Sequence, residues 1–297
     1  MEFFVALLVA LLVGCRGGSS PAPATIAFTD DAGQPVALAA PAARIVSLVP
    51  SATETLVALQ ARDRIVGRTR YDRDTSLARI ADLGGGLDPN VEAIVGLRPD
   101  LVITFAGDAR GDLRNRLAAA GIATLALRLE DTTDAFRSFA TLARVLGDEA
   151  RGRRLAESVR GELRAVQARA AGPRPRVFYV VFNDPPMTAG PNTFIGQLLD
   201  LAGAENIFAD AGTNWPTIAM EELVQRAPEA IVLPTGEMRD AALAKLRTTP
   251  GWSSLQAMRD GRVIFVDGDL VNRPGARMGQ AARALQDGLG IGSAAPR

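Results

Sequence analysis

Histidine is absent from this chain, and cysteine, lysine and aromatic residues are scarce. With no histidine among its 297 residues, the chain excludes Ser-His-Asp and Cys-His catalysis, histidine general-base chemistry and imidazole ligation of metals. A single cysteine, Cys15, excludes an internal disulfide and a cluster of thiolate ligands. Lys245 is the sole lysine, so arginine carries nearly all the positive charge. Aromatic residues make up 5% of the chain, so an aromatic residue in a loop is informative.

The charge balance gives no reason to expect a nucleic-acid partner. The formal net charge is zero at pH 7, and the sequence contains no long run of like charge. Binding to nucleic acid requires a basic face, which this composition does not indicate. With 47% hydrophobic and 22% charged residues the chain is globular, and its length is enough for two domains.

The first residues are typical of a secreted lipoprotein. Residues 3–14 are almost wholly apolar. A membrane-spanning helix needs about 20 such residues, so this shorter run fits the apolar region of a signal peptide. The sequence LVGC, which ends at Cys15, resembles the lipobox of bacterial lipoproteins; an incidental buried cysteine is the alternative. We predict a signal peptide at 1–14, lipid on the Cys15 thiol and a flexible tether at 15–24. The protein is then expected in the periplasm or on the outer face of the cell membrane, anchored by its lipid.

Residues 131–172 contain no strand signal and no proline. Apolar residues recur there at helical spacing in two blocks, Phe136, Phe139, Ala143, Leu146 and then Leu155, Val159, Leu163, Val166. Gly147 separates the blocks, and Asp148 suits the N-cap of the second block. The pattern predicts that one helix ends at Gly147 and that a second helix, beginning at Asp148, spans roughly 36 Å.

Short apolar runs alternate with helical patterns on both sides of this long helix. Such alternation with short links predicts parallel sheets with helices on their faces. We therefore predict an α/β fold of two Rossmann-like lobes, at 25–147 and 173–297, joined by a single bridging helix at 148–172; no residue-level repeat is evident. Ligands of open α/β sheets bind at the carboxyl ends of the strands, so facing lobes form a cleft. The predicted strands are 44–49, 65–67, 101–105 and 122–127, then 176–182, 230–233 and 262–266.

Several motifs resemble those of one protein family. In the first half they are RIVSLVPSATE at 44–54 and LRPDLVI at 97–103. These are similar to motifs of the helical-backbone periplasmic binding proteins of ABC importers, a family that serves vitamin B12, haem and ferric siderophores. The second half resembles the cobalamin-binding branch of this family at three places: NDPPMTAG at 183–190, GAENIF at 203–208 and Trp215-Pro216.

The resemblance implies how the protein works. In this family the single connecting helix is stiff and permits only small closure motions. The ligand, cobalamin or a related corrinoid, would be gripped between lobes that are largely in place, which lowers the ordering cost of binding. The partners would be an ABC permease dimer with its ATPase subunits, and the membrane through the lipid anchor. The protein would be a monomer without cofactor or metal.

The resemblance also implies ligand-binding residues. A corrinoid is a broad, mostly apolar disc with an amide fringe, so its site should offer aromatic faces and a few polar groups. Tyr71, Trp215 and Arg273 match residues of the cobalamin binders. Phe105 stands where that branch has a tryptophan, and Met187 replaces a pocket phenylalanine. Core packing is the alternative for the apolar members, and the abundance of arginine is the alternative explanation of Arg273. One tryptophan of that branch is missing here, because 82–86 reads DLGGG.

Two glutamates match the residues with which this family docks arginines of the permease. They are Glu92 and Glu221, each in the first turn of a predicted helix, one in each lobe. One carboxylate per lobe could report the lobe spacing to a two-fold transporter. The alternative is that a glutamate in a first helical turn is stabilised by the helix dipole alone.

Other functions stay open at this point. A ferric siderophore would use converging arginines, for which Arg68, Arg70, Arg110 and Arg273 are available. Haem would use Tyr71 as its ligand, because Tyr179 lies inside a predicted strand. An enzyme is not expected: the chain has no dinucleotide fingerprint, P-loop or nucleophile elbow, and Asp72 and Asp74 are two aspartates in a polar loop. A structural lipoprotein with a degenerate cleft is the third class.

Overall fold

The computed structural model describes residues 26–107, 111–170, 172–235 and 238–292. The predicted signal peptide at 1–14, the tether at 15–24 with Cys15, and Arg110 lie outside the described residues. Within these ranges no helix is both long and apolar enough to cross a bilayer.

The first half of the chain forms a mixed set of short strands and four helices in the described part. The elements are β1 (Ile26–Thr29), β2 (Pro35–Leu38), β3 (Ile45–Ser47), α1 (Pro50–Ala58), β4 (Ile65–Arg68), β5 (Ala81–Asp82), β6 (Gly84–Gly85), β7 (Asp88–Pro89), α2 (Val91–Gly96), β8 (Leu101–Phe105), α3 (Gly111–Ala119), β9 (Ala123–Leu127) and α4 (Thr132–Val145). A parallel sheet has the strand order β5-β4-β3-β8-β9, while β1–β2 and β6–β7 are antiparallel pairs.

The second half of the chain repeats the alternation of strands and helices. Its elements, with the connecting α5, are α5 (Glu149–Arg169), β10 (Arg176–Tyr179), β11 (Phe182–Asn183), β12 (Pro186–Met187), α6 (Phe194–Ala202), β13 (Glu205–Asn206), α7 (Met220–Arg226), β14 (Ala230–Thr235), α8 (Arg239–Thr248), α9 (Gln256–Arg259), β15 (Val263–Asp267), α10 (Gly268–Val271) and α11 (Met278–Gly288). A parallel sheet has the strand order β13-β10-β14-β15. Single-turn 3₁₀ helices occur at Arg62–Arg64 and Thr75–Leu77 in the first half and at Trp252–Ser254 in the second.

Helices α4 and α5 follow from local sequence signals. The Asp131 side chain caps α4 by accepting from the backbone N–H of Asp134 at 2.7 Å, and Asp148 caps α5 through the N–H of Arg151 at 3.0 Å. Gly147 lies between them with φ +75°, the left-handed conformation that ends a helix. The 21-residue α5 leads from the first sheet to the second, and the predicted α/β fold of two lobes is confirmed.

Helix α5 is packed on both sides. It lies close against α4, since a Cβ on Gly152 would stand 2.5 Å from the Cβ of Ala143. Its apolar stripe packs into the core of the second lobe together with α6 and α11. There the buried side chain of Gln286 donates to the carbonyl of Val166 in α5, at 2.8 Å, and to that of Ala202 in α6, at 3.3 Å. These contacts fix α5 against α4, α6 and α11.

One predicted strand is too long. The run 176–182 was expected to be a single strand, but β10 ends at Tyr179. The chain then forms the β11–β12 pair, in which Phe182 stands opposite Met187. The backbone N–H of Val181 donates to the carbonyl of Met187 at 2.9 Å, so from that residue on the chain pairs within the hairpin and not with the parallel sheet. The aromatic ring of Phe182 therefore lies outside the core, 54% exposed.

Candidate functional site

The described residues include four exposed aromatic side chains, and three of them lie at or just after the end of a strand. Tyr71 (53% exposed) follows β4 and Phe105 (36%) ends β8 in the first lobe. Phe182 (54%) follows β10, and Trp215 (48%) lies in the loop before α7 in the second lobe. The remaining aromatic side chains of the described part are buried or half-buried. Large aromatic rings left in water at the carboxyl ends of parallel strands indicate a ligand site.

The second-lobe part of this site is built from three neighbouring segments. Phe182 pairs with Met187 in the β11–β12 ladder, and Met187 in turn makes a bridge to Thr217. The backbone N–H of Thr188 donates to the carbonyl of Pro216 at 3.1 Å, next to Trp215. These bonds bring Phe182, Met187 and Trp215 to the same surface. Sequence reasoning missed Phe182, although an aromatic residue followed by two prolines at the end of a strand is a usable signal.

The first-lobe part is a tight loop around Tyr71. The carboxylate of Asp72 accepts from the backbone N–H of Thr69 at 2.8 Å and from its hydroxyl at 2.7 Å, which closes the turn that presents Tyr71. The glycine-rich segment that replaces the missing tryptophan lies beside the tyrosine ring: a Cβ on Gly85 would stand 4.0 Å from Cε2 of Tyr71. Tyr71 is therefore flanked by open backbone rather than by a second aromatic ring.

Arg273 lies beside Tyr71 but is already bonded on several sides. Its guanidinium donates to Glu54 Oε1 at 2.7 Å, to Asp269 Oδ1 at 2.8 Å and to the backbone carbonyl of Tyr71 at 2.7 Å. The side chain is only 12% exposed. Arg273 thus connects the Tyr71 loop of the first lobe to the second lobe, and its role as a ligand-binding residue stays a prediction.

Five charged residues form what we call the ion cluster: Glu54, Arg73, Asp269, Arg273 and Arg277. Glu54, from α1, also accepts from Arg277 at 2.9 and 2.6 Å, and Arg73 pairs with Asp269 at 3.1 Å. The hydrogen bond with Glu54 raises the pKa of Arg277 above its ordinary value, although burial opposes the rise. Because Glu54 and Arg73 of the first half pair with residues of the second half, the ion cluster holds the two lobes together.

Two cavities adjoin the ion cluster. One, of about 430 Å³, is lined by Tyr71, Pro50, Thr235 and Asn272 and borders Arg73 and Arg273. The other, of about 730 Å³, lies against α1 and α11 and is bordered by Glu54, Asp72 and Arg277. Both have the size of small-molecule pockets. The smaller one has Tyr71 on one side and Thr235 and Asn272 on the other, so residues of both halves of the chain border it.

Of the two tyrosines, only Tyr71 is exposed. Tyr179 ends β10 and is buried, with its hydroxyl donating to Asn272 Oδ1 at 2.6 Å. Burial raises the pKa of Tyr179 far above its ordinary value, so its hydroxyl keeps its proton. Among the described residues no group of three or more cysteine, aspartate and glutamate side chains is arranged to hold a metal ion.

Glu92 and Glu221 lie where the sequence places them, in the first turns of α2 and α7. Both are exposed. Glu92 accepts from Arg116 of α3 at 2.6 Å, whereas Glu221 has no hydrogen-bond or ion-pair partner within the described ranges. Their role in docking stays a prediction.

Asp72 gives the folded protein a pH dependence with a defined sign. Burial raises the pKa of its carboxyl above the ordinary 3.8, against the hydrogen bonds from Thr69, which lower it. The folded state then holds more protons than the unfolded state between 3.8 and the raised pKa, so stability falls as the pH rises through that window. We expect Asp72→Asn to raise the free energy of unfolding at pH 7, with the gain fading toward pH 4, in urea titrations at several pH values.

Asp74→Asn is the matched control for this prediction. Asp74 is exposed and caps the next turn by accepting from the N–H of Ser76 at 2.8 Å, which asparagine also does. A gain for Asp72→Asn that stays constant from pH 4 to pH 7 would contradict the assignment, because it would not depend on ionisation.

Comparisons with known proteins agree with this architecture. A protein-family model described as periplasmic binding protein matches residues 45–270. The chain belongs to this family. This periplasmic binding protein is therefore the substrate-binding component of an ABC transporter, and its partners are a permease and ATPase subunits. The resemblance drawn from the motifs at 44–54 and 97–103 is confirmed.

Relatives of this periplasmic binding protein carry different ligand names. It is 30% identical over 89% of its length to the uncharacterized ABC transporter substrate-binding lipoprotein YvrC of Bacillus subtilis, covering 85% of that protein. It is 30% identical to the vitamin B12-binding protein of Salmonella paratyphi A, over 84% of this chain and 90% of the relative. A periplasmic heme binding protein from Pseudomonas aeruginosa superposes with a TM-score of 0.76 and 26% identity, over 86% of this chain and 95% of that one. The ligand is thus not decided by likeness alone.

Proposed function

We propose that the protein captures cobalamin or a related corrinoid in the cleft between its lobes and delivers it to its ABC permease. The observation that carries the proposal is the set of exposed aromatic side chains at the strand ends of both lobes, with Met187 beside them. Aromatic faces cover a broad apolar disc at a low cost in conformational entropy, and methionine adapts its shape to the remaining surface. The likeness to a vitamin B12-binding protein supports the same ligand class.

The ligand-binding set of this proposal is Tyr71 and Phe105 from the first lobe and Phe182, Met187 and Trp215 from the second. Arg273 acts mainly through Tyr71, whose carbonyl it holds at 2.7 Å. The lipid on Cys15 keeps the protein at the membrane surface, and Glu92 and Glu221 contact the permease. Because the ion cluster joins the lobes in the described structure, capture needs only a small adjustment of their spacing.

A ferric siderophore fits less well. An anionic chelate is recognised by several converging cations. Arg68 is half-buried and donates to the backbone carbonyls of Leu77, at 3.1 Å, and Thr69, at 2.8 Å. Arg273 is shared among three acceptors. Of the arginines considered for this role, Arg70 alone is exposed within the described ranges.

Haem is the second candidate, favoured by the likeness to a heme binding protein. Haem iron requires an axial ligand, and in a chain without histidine the tyrosine phenolate is a suitable one. Tyr71 is exposed and available for this role, whereas the Tyr179 hydroxyl is buried. Tyr71 therefore stacks on a corrinoid or ligates haem iron, and the two roles can be separated experimentally.

Calorimetry and absorption spectroscopy test the proposal. The purified protein is titrated separately with cyanocobalamin, cobinamide, haemin and a ferric hydroxamate siderophore. We expect heat with the two corrinoids and a Kd in the micromolar range or below. Tyr71→Phe should retain corrinoid binding, since the ring remains, but should abolish ligation of haem iron. Absence of heat with both corrinoids, together with a Tyr71-dependent shift of the haemin spectrum, would replace the corrinoid by haem.

A further inference from the structure

Residues 91–101 and 220–230 repeat one another in structure. They read VEAIVGLRPDL and MEELVQRAPEA and align without a gap. Each begins with a short helix, α2 or α7, and leads into a strand of the parallel sheet, β8 or β14. Arg98 and Ala227, at equivalent places, both have positive φ, +47° and +43°, and a proline follows each. The two lobes therefore share a repeated unit that the sequence pattern alone does not reveal.

The same side-chain contacts hold both helices. Arg44, before β3, donates to the carbonyls of Leu97, at 2.7 Å, and Arg98, at 3.1 Å. Arg176, in β10, donates to the equivalent carbonyls of Arg226, at 2.6 Å, and Ala227, at 3.3 Å.

An acidic side chain completes each arrangement. Asp100 accepts from the backbone N–H of Arg44 at 2.8 Å, and Glu229 accepts from that of Arg176 at 2.9 Å. Two helices anchored in the same way present the same face to a partner.

That face contains one carboxylate and one aliphatic group in each lobe. Ile94 and Leu223 are fully buried, whereas Val95 and Val224, the next residues, are 38% and 41% exposed. Each valine lies three residues after the first-turn glutamate of its helix, and residues three apart are neighbours on a helix surface, about 5–6 Å between Cβ atoms.

The helices run opposite to the strands that follow them. Because α2 and α7 each lead into a parallel strand, their first turns lie toward the carboxyl edges of the sheets, the edges that carry the cleft aromatics. Both glutamate–valine pairs therefore lie on the cleft side of the molecule.

We infer that Val95 and Val224 complete the permease-docking surface, so that each lobe docks through a glutamate–valine pair. The occupant is the two-fold permease dimer, and each half of it offers a cationic side chain next to an apolar one. Two like pairs at equivalent places on the two lobes fit a partner with two like halves. Charge complementarity selects a basic partner surface, and the valine excludes water from the ion pair. This inference rests on the proposed transport function.

The two pairs differ in one respect. Glu92 is already bonded to Arg116 at 2.6 Å, and Arg116 also lies 4.0 Å from Asp112, whereas Glu221 has no partner among the described residues. The first-lobe glutamate must exchange Arg116 for the permease cation, while the second-lobe glutamate is free to bind at once. Arg116→Ala is therefore expected to strengthen docking modestly.

Binding to the permease–ATPase complex in lipid nanodiscs tests the inference. The double variant Val95→Ser/Val224→Ser is compared with the wild-type protein, since serine and valine have similar helix propensities. We expect at least about tenfold weaker docking, as for loss of central interface contacts, with unchanged affinity for cyanocobalamin. Val263→Ser is the control, because Val263 begins β15 at the opposite, amino edge of the sheet.

Each outcome decides one question. If the double serine variant docks as tightly as the wild-type protein, the role of the valines is overturned, while the transport function stands. Wild-type protein that does not dock at all would overturn the transport function, and this surface with it. Equal losses for Val263→Ser and the double variant would assign the effect to general destabilisation and overturn the inference.

Discussion

Replacing Trp215 by alanine is expected to weaken corrinoid binding about 100-fold, while the melting temperature changes little. Truncation of an anchoring aromatic residue costs about 2–4 kcal/mol of binding free energy, and about 2.8 kcal/mol corresponds to 100-fold in Kd. The fold should tolerate the change, because nearly half of the Trp215 side chain is exposed. Calorimetry measures the affinity, and differential scanning calorimetry measures the stability.

The second tryptophan provides an internal control. Trp252 is fully buried, donates its indole N–H to the carbonyl of Asn183 at 3.0 Å and packs edge-on against Phe178. In the wild-type protein, a bound corrinoid should quench the fluorescence of Trp215 in addition to any effect on Trp252. Trp215→Phe should lose most of the quenching while retaining most of the affinity. Unchanged affinity in Trp215→Ala would show that this loop does not contact the ligand.

Replacing Glu54 by glutamine is expected to lower the free energy of unfolding by about 3 kcal/mol, because it removes the negative charge from a largely buried ion pair and leaves the arginine side in place. Glu54 is 14% exposed and accepts hydrogen bonds from Arg273 and Arg277. A neutral amide leaves the guanidinium of Arg273, itself only 12% exposed, with less compensation for its lost hydration. Urea titration measures the stability.

The same change should weaken ligand binding. Arg273 connects Glu54 to the backbone carbonyl of Tyr71, so a displaced guanidinium frees the loop that carries an aromatic ring of the site. We expect the loss mainly in the dissociation rate, measured by stopped-flow fluorescence, because the pocket becomes less preorganised.

Two variants serve as controls for Glu54→Gln. Glu157→Gln changes an exposed glutamate of α5 and should leave both stability and affinity unchanged. Arg277→Met removes the more exposed arginine, 37% against 12%, and leaves the bond between Glu54 and Arg273 in place. It should therefore cost less than Glu54→Gln. Surface substitutions usually change the free energy of unfolding by less than about 0.5 kcal/mol. A change that small for Glu54→Gln would show that the ion cluster does not hold the lobes together.

Helices and strands with strong local signals could be predicted from the sequence. The two apolar blocks at helical spacing, with Gly147 and the cap Asp148 between them, place α4 and α5 within a few residues of where they lie. The end of β10, by contrast, was difficult to predict, because the apolar run continues to Phe182 while the parallel sheet stops at Tyr179. The missed ring of Phe182 followed from that boundary, since one strand residue more or less decides which face a side chain occupies.

The sequence by itself determined the two-lobed α/β plan, the absence of histidine chemistry, and the loop positions of Tyr71 and Trp215. Those features depend on composition and on periodicities within a few residues of one another. The tertiary structure alone decided that Arg273 binds Glu54, 219 positions away, and that Val95 and Val224 stand exposed at equivalent places in α2 and α7. Such pairings have no local signal, because they exist only after the sheets and helices have packed and brought distant side chains within bonding distance.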